Sequence, residues 1–134
     1  MATVTVEIRN VPGTEAALGW AGSHTVVIDR PEGKSGGMGL GFNGAQLLAL
    51  TIGGCFANDL RYKAAELDLD LRDISISVDL QLDGAPLMAT HATVRVHVDA
   101  GDDAAGRRLV DEVSRTSMAA NSISRGIPVV FVEA

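Results

Sequence analysis

Val4, Val6 and Ile8 alternate with Thr3, Thr5, Glu7 and Arg9, the two-residue period of a half-buried strand. Val11-Pro12-Gly13 supplies a turn. A second strand is expected near Ala17–Trp20 and a third at His24–Asp29, connected through Ala21-Gly22-Ser23. Arg30 to Phe42 is a Gly-rich loop, and Asn43 is placed to cap a helix that runs to about Leu67. The first half of that helix is apolar on nearly every side: Ala45, Leu47, Leu48, Ala49, Leu50, Ile52, Cys55, Phe56 and Ala57. Such a helix is expected to be buried all round. The Gly53-Gly54 pair at its middle costs helix stability, at about 1 kcal/mol per glycine, and predicts a close approach of another backbone.

The clearest alternation follows. Ile74, Ile76, Val78, Leu80 and Leu82 share one face of a strand, and Asp83-Gly84 has turn chemistry. A partner strand is expected with Met88, Thr90, Ala92, Val94, Val96 and Val98 on one face. Asp102 caps a helix whose buried stripe reads Ala105, Leu109, Val113 and Ser117. A helical turn at Ala119–Arg125 ends at Gly126-Ile127-Pro128, and a last strand is expected at Val129–Val132. The order is βββ-α-ββ-αα-β, an α+β layout of antiparallel hairpins around a long central helix.

With 134 residues and no linker or repeat, a single domain spanning 1–134 is expected. Aromatic residues are scarce at 4%, so the core must rely on Val, Ile, Leu and Ala. The net charge of −6, with Arg107-Arg108 the nearest thing to a basic cluster, disfavours nucleic acid as a partner. The apolar run Ala45–Ala57 is shorter than the roughly 20 residues a membrane-spanning helix needs. The opening MATVTVEIRN has no signal-peptide pattern, so a cytoplasmic, reducing location is expected. Cys55 is the single cysteine, which excludes an intrachain disulfide and a Cys-rich metal site.

Several motif readings fail. Gly33-Lys34-Ser35 looks like the end of a phosphate-binding loop, but Ile28 stands where that motif needs its first glycine. Gly39, Gly41 and Gly44 match the dinucleotide fingerprint as a string, yet no βαβ unit surrounds them. His24, His91 and His97 lack ligand spacing and read as exposed strand residues. Ser122 and Ser124 lack a nucleophile elbow. No cofactor and no metal are expected.

From His24 onward the chain resembles the osmotically inducible protein C and organic hydroperoxide resistance (OsmC/Ohr) family. The residues that carry the resemblance are the strand leading to Asp29-Arg30-Pro31, the Gly36-Gly37 loop, and the long helix with Leu47-Leu48 and Cys55. The downstream hairpin and paired C-terminal helices agree with it. The resemblance implies an intertwined homodimer in which two central helices are wrapped by sheets from both chains. It also implies reduction of organic hydroperoxides by a thiolate, and Cys55 matches the attacking cysteine. The family's second cysteine corresponds to Asn121, and its early helical glutamate has only Gln46 nearby. For the arginine that positions the thiolate, Arg30 is best placed, with Arg9 and Arg61 as further candidates.

A peroxidatic cysteine reacts as its thiolate and needs a cation or helix N-terminus close by. Cys55 lies roughly 18 Å along its helix, beyond the reach of the dipole's first turn. Without a second cysteine, an oxidised Cys55 would depend on an external thiol. Two readings follow. One is a one-cysteine, thiol-dependent hydroperoxide reductase or redox sensor of the oxidative stress response. The other is a non-catalytic homodimer that holds a small apolar ligand in an inter-subunit pocket near Gln46, Cys55 and Asn121.

Overall fold

A computed structural model describes residues 1–134. The elements run β1 (Glu7–Asn10), β2 (Ala17–Ala21), β3 (His24–Ile28), α1 (Gly44–Glu66), β4 (Asp73–Asp83), β5 (Met88–Asp99), α2 (Asp103–Thr116) and α3 (Met118–Arg125). This is the α+β arrangement of antiparallel sheets and helices that the patterning predicts. The chain divides into two compact units, Met1–Leu48 and Ala49–Ala134.

In the first unit β1, β2 and β3 form an antiparallel sheet in that order. Ala21 pairs with His24 across the Gly22-Ser23 turn, and Glu7 pairs with Trp20. β1 begins at Glu7 rather than Thr3, because β2 ends at Ala21, opposite Val6, and the chain turns away at Gly22. The loop after β3 folds back on its own strand. Phe42 N–H donates to the Val27 carbonyl at 2.9 Å, and Asp29 N–H donates to the Phe42 carbonyl at 3.0 Å. Gly41 lies so close to β3 that a Cβ there would sit 2.2 Å from the Val27 oxygen, which excludes any other residue.

Helix α1 starts with a capping box. Gln46 N–H donates to Asn43 Oδ1 at 2.9 Å, and Asn43 N–H donates to Gln46 Oε1 at 3.0 Å, satisfying two donors left free at the helix start. It ends where Asp68 turns left-handed at φ 54° and Leu69 N–H reaches back to the Ala64 carbonyl at 2.8 Å.

The second unit holds a core of Phe56, Leu60, Ala64, Leu71, Leu109 and Val113, bordered by Ile74, Ile76, Val96 and Val98 from the hairpin. Leu60 and Leu109 are fully buried, each contributing about 1.5–3 kcal/mol over exposure. The expectation of a helix buried all round does not hold within one chain. One stripe of α1 is covered by the hairpin and α2, namely Ile52, Gly53, Phe56, Leu60 and Ala64. Leu50, Gly54, Asn58 and Tyr62, on the opposite side, are exposed. The tight neighbours of Gly53 are side chains and not a backbone: a Cβ there would lie 3.0 Å from Val78 Cγ2. Gly54 faces open space.

The β4–β5 register pairs Ile74 with Val98 and Leu80 with Ala92, then slips beyond Gln81 so that Leu82 meets Ala89 and Asp83 meets Met88. The slip leaves Thr90 as the extra residue and moves Met88 off the apolar face on which strict alternation places it. On α2, Asp102 accepts from Ala104 N–H at 3.0 Å as the expected cap. The buried stripe there is Gly106, Leu109 and Val113. Gly106 takes the place expected of Ala105 because Val98 Cγ2 would lie 3.1 Å from any Cβ. The last strand is also corrected: Val129–Val132 has no strand partner in the chain, and its side chains are exposed, Phe131 at 93%.

Candidate functional site around Cys55

Cys55 sits on α1 between the buried stripe and the exposed one, and its side chain is half-buried. One helical turn on, Asp59 stands on the same side, because residues four apart share a helix face. The thiol donates to Asp59 Oδ2 at 3.6 Å, a sulfur hydrogen bond of ordinary length. The group that faces the sulfur is therefore a carboxylate, opposite in sign to the cation that usually stands by a reactive thiolate.

Asp59 also lines a groove of about 310 Å3 between α1 and α2, together with Tyr62, Lys63, Glu66, Val113 and Thr116. The charges in this groove differ in their partners. Lys63 Nζ lies 3.1 Å from Glu66 Oε1 and 3.8 Å from Glu112 Oε2. Glu112 is in turn 2.9 Å from Arg108 Nε. That hydrogen bond, with the charges of Arg108, Lys63 and Arg115, holds the Glu112 carboxyl below the ordinary range. Asp59 forms no salt bridge, although Lys63 stands one turn further along the same face: the Cys55 thiol is its hydrogen-bond partner.

Of the other residues singled out from the sequence, all but Arg9 have definite structural work. Arg30 and Gln46 belong to the first unit, and Cys55 and Asn121 to the second. Arg30 donates through Nη2 to the Glu15 carbonyl at 2.6 Å and lies 3.5 Å from Asp29 Oδ1, which straps the Gly-rich loop to the turn before β2. Its Nε is buried without a partner. Gln46 is engaged in the capping box. Asn121 Nδ2 donates to the Arg115 carbonyl at 3.1 Å, closing the end of α2 against α3. Arg61 donates to the Leu71 carbonyl at 2.5 Å and anchors the chain beyond α1. Arg9 is exposed on β1, opposite Leu18.

Two carboxylates with no role assigned from the sequence stand in these regions. Asp29 is buried and accepts from three backbone N–H groups: Arg30 at 2.8 Å, Met38 at 3.1 Å and Leu40 at 3.1 Å. The Leu40 hydrogen bond, with those of Met38 and Arg30, holds its carboxyl below the usual range against the opposing effect of desolvation. Asp59 is the other, and its four-residue spacing from Cys55 was the signal that could have found it. No group of three His, Cys, Asp or Glu side chains is arranged to hold a metal ion. No helix is long and apolar enough to cross a membrane.

Comparison with solved structures defines the class of fold. The chain is similar to an OsmC-like protein of Mycoplasma pneumoniae, at 12% identity over 92% of this chain and 88% of that one, with a TM-score of 0.76. It is similar to an organic hydroperoxide resistance protein OsmC of Legionella pneumophila, at 19% identity over 92% and 90%, TM-score 0.68. It also matches the organic hydroperoxide resistance protein OhrB of Bacillus subtilis, at 21% identity over 90% of each chain, TM-score 0.63. No curated protein matches the chain in sequence. The family model described as OsmC-like protein matches residues 36–132, and the chain belongs to that family.

Proposed function

We propose that this protein is a one-cysteine redox protein of the oxidative stress response, in which Cys55 is oxidised by organic hydroperoxides and reduced again by an external thiol. The observation that carries the reading is the single, half-buried Cys55 thiol on the long helix of a member of the OsmC-like family. Two of the similar structures are described as organic hydroperoxide resistance proteins, which supports the choice of oxidant. Sulfur attacks the terminal peroxide oxygen, the O–O bond breaks, and the alkoxide takes up the thiol proton: Cys–SH + ROOH gives Cys–SOH + ROH. Two equivalents of a small thiol then return the cysteine and release a disulfide and water. A cytoplasmic location would supply that thiol. The carboxylate beside Cys55 favours slow turnover, which suits a sensor better than a high-flux peroxidase.

The same reading includes a homodimer. Leu50 and Tyr62 on α1, Val4, Val6 and Ile8 near the start, and Ile127 and Val129 to Val132 near the end are all exposed in the single chain. So much apolar surface is unusual for a monomer. Sedimentation is expected to give the mass of two chains.

The second reading is a non-catalytic dimer that binds a small apolar ligand, and the carboxylate of Asp59 facing the Cys55 thiol, in place of an activating cation, favours it. Consumption of cumene hydroperoxide in the presence of dithiothreitol separates the two. The redox reading expects consumption by the native protein and none by Cys55→Ser. Equal rates for the two proteins would leave the binding scaffold.

A further inference from the structure

We draw no further inference here: the strongest candidate, the groove of about 430 Å3 between β5 and α2 lined by Val96, Val98, Gly106, Arg107 and Val110, carries nothing because no feature of the structure shows what covers it.

Discussion

The Gly-rich loop after β3 and the middle of α1 each pair a carboxylate with glycines, and they do opposite things with them. Asp29 is buried, and its two oxygens accept three backbone N–H groups, so the loop has one closed form. Gly41 completes that closure because no Cβ fits beside Val27. Asp59 is half-buried and hydrogen-bonds only a thiol, while Gly54 faces open space. A fully satisfied, buried carboxylate fixes structure. One with a single weak donor and a solvent path leaves its charge available to whatever approaches.

The largest expected effect that tests this contrast is at Gly41. Gly41→Ala must push apart the loop and β3 backbones, at a cost of at least about 3 kcal/mol in stability measured by urea unfolding. A near-neutral result would mean that the loop is not closed as described.

Asp29→Asn comes next. It keeps the shape but removes the charge that three N–H groups address, so the melting temperature at neutral pH should fall. The folded carboxyl titrates below its unfolded value of about 3.9. Its contribution is therefore complete above that pH and disappears as pH falls through the lower, folded value. The gap between native and variant proteins should accordingly close in strong acid. A gap independent of pH would assign the loss to packing.

The smallest effect is at Gly54. With nothing within 4 Å of its would-be Cβ, Gly54→Ala should stabilise a single folded chain by about 1 kcal/mol through helix propensity. A loss of stability, accompanied by dissociation in sedimentation, would place Gly54 against a partner helix.

Much of the fold was legible because alternation and caps are local. The β4–β5 hairpin followed from its apolar period, and Asn43 and Asp102 were readable as caps. What escaped depends on partners. Strand patterning gives Val129–Val132 the propensity for a strand but cannot supply a neighbour to pair with. Strict alternation has no means of anticipating the extra residue at Thr90, and so put Met88 on the wrong face. At the site, Cys55 was legible as the single sulfur. Gln46 and Asn121 were chosen by position in a family pattern, and their amides close helix ends in this chain. Asp59 belongs to no motif, and only its four-residue spacing from Cys55 points to it.

In the proposed function Cys55 is the redox centre and has no resolving cysteine within the chain. Trapping with dimedone after one equivalent of cumene hydroperoxide tests it most directly, read by mass spectrometry of the intact protein and its peptides. One dimedone adduct per chain is expected, confined to Cys55 and abolished when a small thiol is added first. An unmodified thiol after exposure to the hydroperoxide would contradict it.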